Sequence, residues 1–376
     1  MRILQLMSCR GWSSDAYWAA RISAELERAG HQVTLACKAG SERRVIERAR
    51  DTGASRIATL RFASGVKPVS DVRDLRRLRQ WLGETDVVHV HRGKEHWLAA
   101  VANRLSTTPR PLVRTRHIVQ PIRPHALNRW LYRQATSLVV TVTAAIRRQY
   151  LAAELIAPEH VVALPGGVDL DRFHPGVEGA AFRRSLGAPS AVPLIGLVAS
   201  FRAMKGHGVA IEAAGRLARA GQRFHMLFIG DGALQSGLRQ AIVAAGLTNR
   251  ISLVGFVADL PAAMAALDIT LYPALESDGM SRVLFEYLAM EKPVVASRVG
   301  VVPEVLEDGK TALLVPAGEP EALAHAIGRL LDDGVLGKRL GTAAALLART
   351  RLSGAVVARE LVTGYSRLTR AAGHAP

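Results

Sequence analysis

The chain of 376 residues is 49% apolar, with 33 glycines, 17 prolines and two cysteines, which suits two packed domains and excludes a disordered or disulfide-stapled chain. Its net charge of +17 is uneven: residues 1–150 hold 27 Lys and Arg against 11 Asp and Glu, residues 151–376 hold 22 against 21, and residues 101–150 hold nine arginines and no acid. That imbalance asks for an anionic partner of the first half, such as a membrane surface or a phosphorylated lipid or polysaccharide. Nucleic acid is not expected, because no recognition motif or aromatic stacking platform accompanies the charge.

The opening MRILQLMSC is too short for a signal peptide and reads as a buried first strand. No apolar run reaches the ~20 residues that cross a bilayer. Cys9 and Cys37, near strand ends, read as buried free thiols in a reducing cytoplasm. Down the first half, RILQLM, QVTLAC, IATLRF, VVHVH, PLVRTRH, SLVVTVT and HVVALP alternate with amphipathic stretches such as WAARISAELERAG. Runs of this kind predict βαβ units and a parallel sheet covered on both faces. After a Gly/Pro-rich passage near 166–190 the pattern restarts with PLIGLVAS, MLFIG, ISLVGF, ITLYPA, PVVAS and ALLVP. The expected fold is α/β: two tandem Rossmann-like, doubly wound parallel-sheet domains, 1–168 and 169–354, with ligands at the carboxyl ends of the strands in a cleft between them.

The first turn, SCRGWSSDAYW, sets Gly11 where backbone can approach a ligand at a helix N-terminus, although an ordinary βα turn remains the alternative. The absence of GxGxxG disfavours a dinucleotide cofactor. Asp15 reads as a cap of the following helix, with contact to a sugar hydroxyl as the alternative. His89, His91 and His117 lie at strand ends. No zinc spacing joins them, His89 can be a satisfied core residue, and His117, between arginines and beyond its strand, is the better site candidate. Asp169 and Asp171 read as a capping and hinge element. In VASFRAMKGHG, Arg202 and Lys205 face one cavity as a diphosphate clamp, against the alternative of a solvated loop. Gly230 in FIGDGAL and Val257 in VGFVAD belong to turns that approach a ligand. In LESDGMSRVLFEYLAMEKPVV, a helix from about 280 to 290 turns its N-terminus toward phosphate. Asp278 and Glu286, with no cationic partner beside them, suit a hydroxyl pair, and Glu276 is a rim charge.

The succession from VASFRAMKG through FIGDG, VGF and LDITLYPALESDGMSRVLFEYLAMEKPVVAS to VGVVPEVLEDGKTALLVPAGEPEALAHAI resembles the retaining glycosyltransferases of the GT-B type, group 1, family 4. The resemblance covers nearly the whole chain. It implies that Glu286 is the second carboxylate of a Glu-x7-Glu donor motif and binds ribose hydroxyls. Asp278 then stands eight positions earlier, one methylene shorter than the usual glutamate. The amides of Gly279, Met280 and Ser281 would touch donor sugar or diphosphate, and Lys205 and Arg202 would clamp the diphosphate, with Ser200 where relatives often place the arginine. His117 would sit beside the transferred sugar, Gly11 in a glycine loop, and the last helix, 355–376, back on the first domain. The implied catalytic set is His117, Lys205, Arg202 and Asp278.

The resulting expectation is a cytoplasmic, metal-independent, retaining transferase. It would carry a sugar from a nucleoside diphosphate to a hydroxyl of an anionic, membrane-associated glycan or glycolipid of the lipopolysaccharide or cell-envelope kind. The basic run SDVRDLRRLRQWL would give peripheral contact with the inner membrane surface, against the alternative of a merely solvated helix. A sugar-nucleotide epimerase on the same fold and a non-catalytic sugar-nucleotide-binding subunit are the alternatives.

Overall fold

Every apolar run named above becomes a strand of a parallel sheet. The structure is a computed structural model describing residues 1–41, 43–186, 192–277, 279–280, 282–371 and 373. It divides into two units, Met1–Gly167 with Gly354–Pro376, and Val168–Ser353.

Unit one holds β1 (Arg2–Met7), β2 (Gln32–Lys38), β3 (Arg56–Leu60), β4 (Val87–Val90), β5 (Leu112–Arg116), β6 (Leu138–Thr141) and β7 (Val161–Ala163), in the order β3-β2-β1-β4-β5-β6-β7. Ile3, Leu4, Leu6 and Met7 of β1 are at most 2% exposed. A strand so covered on both faces reads as a continuous apolar run instead of an alternation. The crossover helix Ser14–Arg28 follows β1, buries Trp18, Ile22 and Leu26, and stops before Gly30, whose φ of +84° gives the left-handed C-terminal turn. Helix Gly354–Ala371 packs on it within the same unit. A buried ion pair, Arg21 with Glu25, lies beneath Gly354, where an added Cβ would come 3.0 Å from Glu25 Cγ.

Unit two holds β8 (Leu194–Val198), β9 (His225–Ile229), β10 (Ile251–Gly255), β11 (Ile269–Tyr272), β12 (Val294–Ser297) and β13 (Leu313–Val315), in the order β10-β9-β8-β11-β12-β13. Its largest core joins Ile195, Leu197, Phe201, Met226 and Phe228 to the helices covering the sheet, each such side chain contributing about 1.5–3 kcal/mol by burial. In both sheets strand order reverses beside the first strand, between β1 and β4 and between β8 and β11. Crevices at the carboxyl ends of such strands are where open α/β sheets bind ligands. No described helix is long and apolar enough to cross a membrane.

Candidate active site

In unit two the chain leaves β8 through Ala199, Ser200 and Phe201 into a single 3-10 turn, Ala203–Lys205. Gly206 closes that turn at φ +75°, and a Cβ there would come 1.8 Å from the carbonyl oxygen of Pro273. With Leu275 N–H donating to the Met204 carbonyl at 2.8 Å, the loop after β8 is pinned to the loop after β11. Lys205 is half-buried and Arg202 exposed, both on this rim. Ser200 Oγ accepts a hydrogen bond from Arg202 Nε at 3.1 Å, so the serine orients the guanidinium. Beneath them His207 is 2% exposed and stands edge-on to Phe201 and Phe228. Burial and the Lys205 charge hold its pKa down at about 4.

Gly230 ends β9 at φ +148°, and a Cβ there would lie 2.1 Å from the Ala199 carbonyl oxygen, so only glycine lets these two turns touch. Val257 is half-buried and packs on the cluster around Leu227 and Ile229. Its side chain therefore serves the core, leaving backbone for any ligand contact. Next to it Phe256 is 69% exposed, a ring face at the end of β10 that the sequence reading passed over.

The helix after β11 is described over Arg282–Ala289, and Met280, where the sequence suggested its start, lies outside it. Gly279 is buried with φ +99°, its N–H donating to Ser277 Oγ at 3.2 Å, and Met280 is 6% exposed. Asp278 and Ser281 lie outside the described residues. Glu276 is exposed. Glu286 is 0% exposed and held against the sheet by its neighbour Tyr287, whose hydroxyl accepts from Val198 N–H at 2.7 Å.

One expectation is corrected here: Glu286 has a cationic neighbour. Arg282 Nε stands 2.9 Å from Oε1, four residues earlier on the same helix. The contact is an ion pair without hydrogen-bond geometry, and among the described residues neither Glu286 oxygen has a hydrogen-bond donor. Burial pushes the carboxyl pKa up, against the pull of Arg282 and Arg172. Glu286 is thus a buried carboxylate in the middle of helix Arg282–Ala289, with lone pairs left for further hydrogen bonds.

In unit one, three histidines meet under Trp18. His89 is a core residue, its Nδ1 2.5 Å from Tyr365 Oη and its Nε2 2.6 Å from Thr115 Oγ1. His91 bridges Gln5 Oε1, 2.6 Å from its Nε2, and His117 Nε2, 3.3 Å from its Nδ1. Gln5 Oε1 can only accept, so His91 donates from Nε2 and accepts at Nδ1, and His117 donates from Nε2. The lone pair of His117 is thereby placed on Nδ1, which is buried and has no partner among the described residues. Burial, with Arg114, Arg92 and Arg116 and against Asp15, lowers the His117 pKa to about 3. It is a neutral acceptor rather than a cation.

A second correction concerns Asp15, which does not cap its helix. Ser13 occupies the N-cap without a side-chain capping bond, its hydroxyl donating to Asp15, and Asp15 also accepts from Arg92 Nε at 2.5 Å and Nη2 at 3.1 Å. Arg92 was missed in the sequence because its partner lies 77 residues away. Gly11 is half-buried at the end of β1, on the same rim as Arg92.

Comparison with known proteins adds the following. A family described as "Glycosyl transferases group 1" matches residues 192–333, and "Glycosyltransferase Family 4" matches residues 16–172. The chain is 31% identical over 277 residues to a 2-deoxystreptamine glucosyltransferase of Streptomyces kanamyceticus, covering 68% of this chain and 70% of that one. It is 30% identical over 299 residues to a phosphatidyl-myo-inositol mannosyltransferase of Mycobacterium leprae, covering 77% and 76%. Its fold superposes on HepE from Anabaena, solved in complex with UDP, with a TM-score of 0.84 at 21% identity, covering 98% and 100% of the two chains.

Proposed function

The chain belongs to the group 1, family 4 glycosyltransferases, and from that membership we propose a retaining, metal-independent transfer of a sugar from a nucleoside diphosphate to a hydroxyl of an anionic acceptor. The observation that carries the donor reading is Glu286, fully buried with no hydrogen-bond donor on either oxygen among the described residues. Its two oxygens, with lone pairs left beside the Arg282 contact, match the adjacent hydroxyls of a ribose. On the same rim Lys205, Arg202 and the N-terminus of helix Arg282–Ala289 supply positive charge for the diphosphate. They stabilise the charge that builds on the leaving phosphate as the glycosidic bond breaks. An oxygen of that phosphate takes the proton of the incoming hydroxyl, so attack and departure share one face and configuration is retained. His117 Nδ1 accepts a hydrogen bond from a hydroxyl of the sugar.

For the acceptor, the +16 carried by residues 1–150 favours an anion. An amine-bearing acceptor of the kind named in the Streptomyces relative would meet like charge, whereas the Mycobacterium relative is named for an anionic membrane lipid. Helix Pro68–Gly83 exposes Val69 and Val72 alongside Arg73, Arg76, Arg77 and Arg79. That composition suits a peripheral site on the cytoplasmic face of the membrane and an envelope glycan or glycolipid, lipopolysaccharide included.

The test is to incubate the protein with a panel of nucleotide sugars and anionic glycolipids and to follow nucleoside diphosphate and product mass. Diphosphate released together with glycosylated acceptor supports the proposal. A changed sugar nucleotide without release means an epimerase, and tight donor binding without any turnover means a non-catalytic subunit.

A further inference from the structure

Four neighbouring strands of unit one, β3-β2-β1-β4, end around an open cavity of about 680 Å³. Each end delivers a polar group to it: Arg10 after β1, Lys38 closing β2, Ser64 after β3, and Arg92 and Lys94 after β4. Sheet order brings them together across up to 84 residues of chain, and four cations on one rim are a cost unless something balances them.

The carboxylates balance only half of them. Arg92 is paired with Asp15 at 2.5 Å, and Lys94 with Asp71 at 2.7 Å. Arg10 and Lys38 have no carboxylate among the described residues. Arg10 Nη2 donates to Ser64 Oγ, and Lys38 Nζ donates to the same oxygen at 3.4 Å. Two cationic donors thus converge on one neutral hydroxyl and stand no more than about two hydrogen-bond lengths apart. Burial, with the charges of Arg10 and Lys94, lowers the Lys38 pKa, as expected of a cation held among cations.

We propose that this cavity is an anion subsite that takes a phosphate group, with Arg10, Lys38 and Ser64 as its ligands. A phosphate presents three oxygens in a tetrahedral fan, one each for a guanidinium, an ammonium and a hydroxyl, and its charge of about −2 matches the two unpaired cations. Trp12 lines the same cavity and gives the organic part of the ligand an apolar wall. Through Arg92 and Asp15, whose charge acts on His117, the subsite adjoins the residue assigned to the transferred sugar. The proposal rests on the acceptor reading above and narrows it: the anion is a phosphate, and these residues hold it. The phosphate comes either from a lipid headgroup or from a soluble phosphorylated acceptor.

The experiment uses the full chain with UDP present, which occupies the donor clamp. Inorganic phosphate and glycerol 3-phosphate are titrated calorimetrically into the wild type, Arg10→Ala, Lys38→Ala, the double variant and Lys38→Arg. Saturable binding that weakens about tenfold or more in the double variant and survives in Lys38→Arg is expected, since each lost charge-assisted bond is a large fraction of such an affinity. Co-sedimentation with phosphatidic acid vesicles, whose headgroup is a phosphate monoester, against phosphatidylcholine vesicles, identifies the source. Vesicle binding that falls in parallel supports a headgroup, and phosphate binding without vesicle binding supports a soluble acceptor. No saturable phosphate binding, or equal binding in the double variant, overturns the subsite. UDP affinity is expected to be unchanged in every variant, which also reports folding. If the wild type binds no nucleoside diphosphate the transferase reading fails, yet the difference between wild type and double variant still reports the cavity.

Discussion

Replacing Glu286 by Leu should make the ligand-free protein more stable and the enzyme unable to hold its donor. Glu286 is 0% exposed with no hydrogen-bond donor on either oxygen among the described residues. Its ion-pair partner Arg282 is 31% exposed and can turn to water when the carboxylate is gone. An unsatisfied buried polar group costs about 1–3 kcal/mol, and a leucine removes that cost while filling similar space. For a unit of this size each kcal/mol moves Tm by about 2–4 °C, so a rise of about 2–12 °C is expected in differential scanning fluorimetry without ligand. The two donor hydroxyls would lose charge-assisted hydrogen bonds of about 1.5–3 kcal/mol each. Allowing for non-additivity, nucleotide Kd should rise about a hundredfold or more. The raised pKa of Glu286 adds a signature. The folded state holds this proton more tightly than the unfolded chain, so its contribution is present below the ordinary glutamate pKa and is lost as pH rises through the folded value. The Leu variant lacks that loss. A lower Tm together with unchanged nucleotide affinity would show that Glu286 is a structural ion-pair partner and not a donor ligand.

Other outcomes follow from the same geometry. Gly230→Ala sets a Cβ 2.1 Å from the Ala199 carbonyl oxygen at φ +148°; it should cost about 2 kcal/mol or more and lower nucleotide affinity, as read by denaturant titration and calorimetry. His89, His91, His96 and His117 are all buried with lowered pKa values, about 3 for His89 and His117. Below pH 6.5 the unfolded chain takes up protons that these histidines refuse, so stability is full above that pH and falls as the pH drops toward 3. Each group contributes up to about 1.4 kcal/mol per pH unit, less where they are coupled. A Tm flat from pH 7 to 5 would contradict the buried neutral cluster.

The strands were legible because parallel strands covered on both faces must be apolar throughout, and all thirteen quoted runs lie in the sheets. Strand order was not, since β1 pairs with both β2 and β4 through contacts that no local pattern records. The rim of unit two was readable from local spacing, as Arg202, Lys205 and Gly230 follow strand ends and Glu286 lies on the helix after β11. The Arg282–Glu286 pair is also local, at i,i+4, a spacing at which oppositely charged side chains on one helix face can meet. Unit one hid more. Asp15 with Arg92 and His89 with Tyr365 are pairs 77 and 276 residues apart. Their geometry decides that Asp15 anchors an arginine and that His89 is core, and only the folded sheet brings them together.

The most direct test of the account is the proton NMR spectrum of the purified product, made with EDTA present, for the wild type and Lys205→Ala. The account predicts transfer in EDTA, an anomeric configuration identical to that of the donor, and a turnover about 10²–10³-fold lower in the variant. Inverted configuration, loss of transfer in EDTA, or a Lys205→Ala enzyme as fast as the wild type would contradict it.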